Sequence, residues 1–236
     1  GDHRDLHLSI RRQRQMCIRD RTKVETSYQH INPDKVGNNK RVLVSELSGR
    51  ANVLSKAKEM GIQLDSKSTV VKMVLSQMKE LEKIGYVYEV GEASFEMLLR
   101  RAMTGYSSPF ELVDFMVLVE KRRRAPTNGD PEQNLSEAMV KIRVDGSVIH
   151  TAAEGNGPVN ALDEALRRAL IQFYPKIATV KLVDYKVRIV DEASGTSALV
   201  RVIIESTDGE RRWNTVGCSS NVIEASWLAL TDSLEY

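Results

Sequence analysis

The sequence predicts an α+β protein: a small helical linker subdomain followed by a pseudo-twofold domain of two βββα units. Two observations support this. Apolar residues recur at helical spacing in the first part of the chain, and strand-like runs closed by one amphipathic helix occur twice in the second part. The 236 residues include 42% hydrophobic and 28% charged side chains, which suffices for one large domain or two modest ones.

Composition excludes several protein classes. No apolar run reaches the roughly 20 residues that a transmembrane helix needs, and the first residues lack the apolar stretch of a signal peptide. The two cysteines, Cys17 and Cys218, cannot form a disulfide framework, which favours a reducing compartment. We therefore expect a cytoplasmic protein with no membrane partner.

Residues 1–21 differ from the rest of the chain. They are rich in charge, as in Arg11-Arg12-Gln13-Arg14, and show no periodicity. Their end, from Met16 to Arg21, resembles the translation of a sequencing-library adapter. We interpret this segment as non-native and exclude it from the fold prediction. The alternative is a basic arm that binds nucleic acid. That alternative rests on this segment alone, so no nucleic-acid partner is expected.

Residues 22–108 are predicted to form a helical region. Helices are expected over 52–60, 68–84 and 94–103, because apolar side chains recur there every three or four residues. A glycine follows each helix, at Gly61, Gly85 and Gly105, where the left-handed conformation can end it.

Residues 109–236 contain an internal repeat. The segment starting at Asp114-Phe115 corresponds to the one starting at Asp184-Tyr185, a shift of 70 positions. At a shift of 64 positions, the matched residues are Thr151 and Thr215, Ala161 and Ala225, Ala165 and Ala229, Leu166 and Leu230, and Leu170 and Leu234. In each copy three strands precede one helix, and Asp145-Gly146 and Asp208-Gly209 are typical hairpin turns. The two helices are predicted over 158–173 and 221–234.

Three motifs carry a family resemblance: Ser48-Gly49-Arg50-Ala51-Asn52-Val53, Gly155-Asn156-Gly157-Pro158-Val159-Asn160-Ala161, and the ending Asp232-Ser233-Leu234-Glu235-Tyr236. They resemble the citramalate synthase and 2-isopropylmalate synthase family, and the ending is closer to the citramalate synthases. The resemblance implies that residues 22–108 are the helical linker after a catalytic barrel. It also implies that residues 109–236 are a regulatory domain that forms a homodimer and binds a branched-chain amino acid.

The same resemblance implies an acyltransferase that condenses acetyl-CoA with a keto acid at a divalent metal. In the family an Asp and an H-x-H pair of the barrel hold that metal, and this sequence has no H-x-H. We therefore expect no catalytic residue, metal site or cofactor in this chain. A citramalate synthase would be inhibited by isoleucine and a 2-isopropylmalate synthase by leucine. A free-standing amino-acid-binding regulator is a third possibility.

An amino-acid effector needs an anion site, a cation site and an apolar slot. The residues predicted to bind it are Gly155, Gly157, Pro158, Val159, Asn160, Asp184, Tyr185 and Ile189. The glycines and the proline would expose N–H groups at a helix start, which favours a carboxylate. Asp184 would bind the ammonium group, and Val159, Tyr185 and Ile189 would form the slot.

Each of these residues also has a structural interpretation. G-x-G-P is a good strand-to-helix turn whatever it binds, and Tyr185 and Ile189 are ordinary core residues for a strand. Asp184 has a counterpart in Asp114, which favours a shared structural role. In the second copy Ser219-Ser220-Asn221 is predicted to be an ordinary helix N-cap, and Cys218 is predicted to be a buried structural thiol.

Overall fold

The computed structural model describes residues 50–64, 69–120, 135–191, 195 and 197–236. The interpretation of residues 1–21 as non-native falls outside these residues, as does the first part of the predicted linker. The chain divides into two compact units, with the boundary between Glu82 and Lys83.

The first unit contains helix α1 (Arg50–Glu59) and nearly all of helix α2 (Thr69–Lys83). Val71, Val74 and Met78 are fully buried along one face of α2, as their helical spacing predicts. Gly61 follows α1 in the left-handed conformation, with φ of 74°. Both predicted helices of this region are confirmed.

The second unit begins at Lys83, upstream of the predicted domain start at 109. Its elements in chain order are helix α3 (Glu92–Arg101), strands β1 (Glu111–Glu120), β2 (Leu135–Val144) and β3 (Ser147–Gly155), helix α4 (Pro158–Leu170), a 3₁₀ turn (Pro175–Thr179), strands β4 (Lys181–Ile189), β5 (Val200–Thr207) and β6 (Arg212–Ser219), and helix α5 (Val222–Glu235). The strands form two antiparallel sheets, β1-β2-β3 and β4-β5-β6, each followed by its helix. The predicted α+β fold of two βββα units is confirmed.

The two halves repeat each other down to single hydrogen bonds. Each first strand has a bulge at the same place, between Leu112 and Asp114 and between Leu182 and Asp184. Thr151 donates a 2.8 Å hydrogen bond to the carbonyl of Ala165, and Thr215 donates an equal bond to the carbonyl of Ala229. The pseudo-twofold relation inferred from sequence is therefore present in the backbone and in the packing of helix on sheet.

The first hairpin turn follows from its sequence. Asp145 and Gly146 both have positive φ, 46° and 79°, as the tight two-residue turn between antiparallel strands requires. In the second hairpin, Gly209 has φ of 96°, and the Asp208 carboxylate accepts hydrogen bonds from the N–H groups of Glu210 and Arg211.

The two helices share one hydrophobic core. Helix α4 packs mainly on β2 and β3, and α5 packs on β5 and β6. The residues at this core's centre include Val140, Ile142, Leu162, Leu166, Ile204, Trp227 and Leu230, and all of them are buried. The outer strands β1 and β4 are less completely covered, because one helix cannot span a three-stranded sheet.

Helix α3 belongs to the second unit by its contacts. It packs on β6 and α5, and the Ser94 hydroxyl accepts a hydrogen bond from the N–H of Val216 at 2.9 Å. Arg101 forms an ion pair with the buried Asp232 at 2.7 Å and another with Glu235. The last helix of the predicted linker is thus joined to the C-terminal helix of the repeat.

Candidate effector-binding site

The start of α4 lies close to the end of β3 because Gly155 has no side chain. A Cβ at this position would lie 2.5 Å from the Ala161 nitrogen and 2.6 Å from Asn160 Oδ1. The Asn160 side chain turns back and accepts a hydrogen bond from the N–H of Asn156 at 3.1 Å. Gly155 is thus required by close packing of strand and helix.

Gly157 is the N-cap residue of α4 and plays a different part. Its backbone is extended, with φ of −173°, and a Cβ there would contact nothing within 4 Å. Pro158 occupies the first turn, and in the described part of the chain no side-chain hydrogen bond caps this helix end. The N–H groups of the first turn therefore lack a side-chain cap, and an uncapped helix start favours an anion.

The start of α5 differs at the same point of the repeat. Asn221 Oδ1 accepts a hydrogen bond from the N–H of Ile223 at 2.9 Å, and Asn221 is the N-cap of the helix. The prediction of an ordinary N-cap is confirmed. The two helix starts therefore differ in whether the protein itself occupies the donor groups.

A cavity of about 730 Å³ lies beside α4, between this helix and the segment that leads into β4. Its lining residues are Val159, Asn160, Asp163, Glu164, Arg167, Arg168, Ile171, Ile177, Ala178, Val180, Lys181, Leu182 and Tyr185. The wall combines aliphatic side chains with groups of both charges. Its volume falls within the range of small-molecule sites.

Arg167 holds the two walls of this cavity together. Its Nε lies 2.8 and 2.9 Å from the two carboxylate oxygens of Asp163, one helical turn earlier. Its Nη1 donates to the carbonyl of Val180 at 2.7 Å and to that of Ile177 at 3.3 Å. Because Asp163 is buried and paired, these bonds fix the 3₁₀ turn and the start of β4 against α4.

Tyr185 lines the cavity and connects it to the other helix. The Tyr185 hydroxyl lies 2.8 Å from Ser226 Oγ on α5, and Ser226 donates its own proton to the carbonyl of Val222 at 2.6 Å. The Tyr185 hydroxyl must therefore be the donor in the first bond. The side chain is held in place by α5 while part of it lines the cavity.

The structure brings only some of the predicted residues to this cavity. Val159, Asn160 and Tyr185 are in its lining, and Gly157 and Pro158 directly precede Val159. Asp184 is on the opposite face of β4 from Tyr185, because neighbouring residues of a strand alternate. Its carboxylate accepts a hydrogen bond from Lys186, which lowers its pKa.

Ile189 lies at the end of β4 and is 60% exposed, outside the residues that line the cavity. Helix α5 packs on β5 and β6, so this end of β4 is left uncovered. Sequence reasoning placed Ile189 in the slot because it shares a strand face with Tyr185. The face is shared, but the cavity does not extend along it.

Sequence reasoning also missed residues that the structure brings to the cavity. Four charged residues of α4 lie among apolar residues in the sequence, a pattern that is typical of the solvated face of an amphipathic helix: Asp163, Glu164, Arg167 and Arg168. A signal was present nonetheless, since Asp163 and Arg167 are four residues apart and can pair. At a shift of 64 positions, Asp163 also corresponds to Trp227, an unexpected replacement inside a repeat.

Three further observations concern metal ligands, membrane spans and the second cysteine. Among the described residues, no group of three or more His, Cys, Asp or Glu side chains is placed to hold a metal ion. No helix in the described ranges is long and apolar enough to cross a membrane. The second cysteine is as predicted: Cys218 is buried, and desolvation raises the pKa of its thiol to about 11.

The fold defines an α+β domain of two βββα halves, with a cavity beside one of its helices. Residues 89–236 match the family described as the LeuA allosteric (dimerisation) domain. The chain belongs to this family, and the family resemblance inferred from sequence is confirmed.

Several curated proteins similar to this chain are named (R)-citramalate synthase. It is 51% identical over 210 residues to an (R)-citramalate synthase of Aquifex aeolicus, covering 89% of this chain and 39% of that protein. It is 50% identical over 210 residues to one of Geobacter sulfurreducens, with the same coverage. It is 40% identical over 214 residues to one of Sulfolobus acidocaldarius, covering 91% of this chain and 38% of the other. The chain thus spans about two fifths of the length of these curated relatives.

Proposed function

We propose that this chain is the C-terminal regulatory part of an (R)-citramalate synthase, which condenses acetyl-CoA with pyruvate. In this proposal the second unit binds isoleucine as the feedback inhibitor and forms a homodimer, and the enzyme acts in the cytoplasm. The single observation that carries the proposal is the cavity beside α4, whose lining combines residues of the uncapped first helical turn, side chains of both charges and aliphatic walls. The similarity to (R)-citramalate synthases over most of the chain supports the reaction.

The chemistry of the cavity fits a zwitterion with a branched aliphatic side chain. The carboxylate would face the uncapped N–H groups near Gly157 and Val159. Asp184 faces away, so the acidic groups of the cavity itself, Asp163 and Glu164, are the better candidates to face the ammonium group. An aliphatic side chain would contact Ile177 and the ring of Tyr185.

Dimerisation is supported by apolar side chains that the chain leaves exposed on its outer strands. Val119 at the end of β1 is 61% exposed, and its counterpart in the repeat, Ile189, is 60% exposed. Surface of this kind is typical of a protein interface. Replacing both residues by lysine should convert a dimer to a monomer in sedimentation velocity, while Glu120→Lys, a neighbouring charged position, serves as the control.

The catalytic barrel and its divalent metal belong, in this proposal, to the remainder of a longer protein. This chain alone should therefore release no thiol from acetyl-CoA in the presence of pyruvate and Mg²⁺ or Mn²⁺. Keto-acid-dependent thiol release by this chain would contradict the proposal that catalysis takes place in another part of a longer protein.

Calorimetry with isoleucine, leucine and valine tests the effector directly. Isoleucine should bind most tightly. Gly157→Val should weaken binding by about 1–3 kcal/mol, because the carboxylate would lose its approach to the helix N–H groups. This variant is informative because the new Cβ meets no atom of the described residues within 4 Å, so the fold should be retained.

Each outcome of this titration has a consequence. Tighter binding of leucine would favour a 2-isopropylmalate synthase over a citramalate synthase. Absence of binding by all three amino acids would refute the effector proposal. Unchanged isoleucine binding by Gly157→Val would show that the effector carboxylate does not bind at the start of α4.

A further inference from the structure

The repeat allows the cavity to be compared with the matching place in the other half. Strand β1 corresponds to β4 at a shift of 70 positions, and α4 corresponds to α5 at a shift of 64. The matched bulges and the matched threonine hydrogen bonds show that these shifts relate positions in space as well as in sequence. Tyr185 therefore corresponds to Phe115, and Asp163 corresponds to Trp227.

The pair Phe115 and Trp227 fills its position between strand and helix, whereas the corresponding pair Tyr185 and Asp163 lines a cavity. Phe115 of β1 and Trp227 of α5 stack with ring centroids 5.3 Å apart and planes inclined by 21°. Trp227 is buried, and both rings pack into the hydrophobic core. Their counterparts, Tyr185 of β4 and Asp163 of α4, line the open cavity instead.

A second difference lies one helical turn further along each helix. Arg167 on α4 spans the cavity wall by bonding Asp163 and two carbonyls of the 3₁₀ region. Its counterpart on α5 is Thr231, whose hydroxyl donates locally to the carbonyl of Leu228. One half thus has a bridging ion pair beside a cavity, and the other has an aromatic stack at the corresponding place.

We propose that the Phe115–Trp227 stack occupies a second ligand position equivalent to the cavity, so that each chain binds one zwitterionic amino acid rather than two. In the same proposal Asp163 and Arg167 are the residues that keep the first position open. They do so because a short acid leaves the space that an indole fills, and because Arg167 holds the opposite wall in place. This inference rests on the proposed function, since it assumes that the cavity binds an amino acid.

The first experiment exchanges the residues of the open half for those of the filled half. Asp163→Trp with Arg167→Thr should fill the cavity and reduce isoleucine affinity at least 100-fold, with far-UV circular dichroism unchanged. Asp163→Ser with Arg167→Thr is the matched control, because it removes the same two charged groups without filling the space, so the additional loss in the tryptophan variant measures the filling alone. Retained wild-type affinity in the folded tryptophan variant would overturn the claim that these residues keep the site open.

The reciprocal exchange tests the second position. Calorimetry should give one isoleucine per wild-type chain and two per chain of Phe115→Tyr/Trp227→Asp/Thr231→Arg. Trp213→Ala also removes a buried tryptophan, but its ring contacts Tyr236 and has no counterpart in the cavity, so it should still bind one. Two molecules per wild-type chain, or one per folded triple variant, would overturn the proposal.

A third measurement does not depend on amino-acid binding. In Trp227→Ala, indole should refill the space and raise the melting temperature by several degrees, while the wild type should not respond. Absence of that shift would overturn the claim that a ligand-sized position lies under the stack. If the wild type binds no amino acid but indole rescues this variant, the proposed effector is wrong and the equivalence of the two positions stands.

Discussion

The two halves of the repeat share a scaffold and differ at two places. Strand order, the bulge in each first strand and the threonine bond from sheet to helix are common to both. The helix starts differ, since Gly157 and Pro158 leave N–H groups open while Asn221 caps its own helix. The centres also differ, with a cavity in one half and an aromatic stack in the other. Features shared by both halves are those that stabilise the fold, and the departures mark the place where we propose that a ligand binds.

The largest expected effect on stability comes from the cavity wall. Arg167→Met should destabilise the fold by about 3 kcal/mol, because it leaves the buried Asp163 carboxylate unpaired and removes two hydrogen bonds to carbonyls. Urea unfolding measures this loss. Adding Asp163→Leu should restore much of it, and Thr231→Val in the other half should cost well under 1 kcal/mol. An equal loss of stability from Arg167→Met and from Thr231→Val would contradict the structural difference between the two halves.

The contact between β3 and α4 gives the next effect. Gly155→Ala should cost about 2 kcal/mol, because the new Cβ would lie 2.5 Å from the Ala161 nitrogen and force the helix start to move. Its counterpart, Ser219, already carries a side chain, so Ser219→Ala should cost less than about 1 kcal/mol. Chemical denaturation of both variants tests the pair. Stability equal to wild type in Gly155→Ala would show that the two elements can separate freely.

The two helix starts should respond oppositely in stability and in binding. Asn221→Ala removes the cap of α5 and should cost about 1 kcal/mol. Gly157→Ala should change the free energy of unfolding by only a few tenths of a kcal/mol, since its backbone is extended and its surroundings are open. Thermal unfolding of both, read beside calorimetry with isoleucine, would separate a structural helix start from a binding one. If Asn221→Ala alone loses isoleucine binding, then the start of α5, and not the start of α4, is the one that binds the effector.

The smallest effect concerns pH and the thiol next to the second helix start. Burial raises the pKa of Cys218 from 9.0 to about 11 in the folded state. The folded state therefore favours the protonated thiol, so this contribution to stability is complete below pH 9 and is lost as pH rises toward 11. At about pH 9.5 the loss should be about 0.8 kcal/mol relative to neutral pH.

Cys218→Ala removes this titration and provides the comparison. The variant should lose less stability than the parent between pH 8 and 10, measured by urea unfolding at each pH. Parallel pH profiles for the two proteins would show that the thiol ionises as easily when folded as when unfolded.

Much of the fold could be predicted because it depends on local patterns. The spacing of Val71, Val74 and Met78 fixes a helix with one buried face, and Asp145-Gly146 fixes a turn that needs two positive φ values. The repeat gave the two βββα units because equal patterns fold alike. The N-cap at Asn221 followed from side-chain chemistry within two residues.

The site was harder to predict because it depends on which surfaces remain uncovered. Ile189 shares a face with Tyr185, yet it is exposed because α5 packs on β5 and β6. Asp163 and Arg167 resemble a solvated helical pair in the sequence, but the 3₁₀ turn covers them and makes them a wall. These outcomes depend on residues far away in the chain.

The sequence by itself determined the elements, the turns, the repeat and the family. Each of these depends on the period of apolar residues, on glycine and proline geometry, or on a run of residues that can be recognised directly. Only the tertiary structure decided that the cavity lies beside α4 and that its counterpart is filled by Phe115 and Trp227. A cavity is the space left where two packed surfaces fail to meet. It is therefore set by side-chain volumes contributed by β1, β4, α4 and α5 together, and no local pattern carries that information.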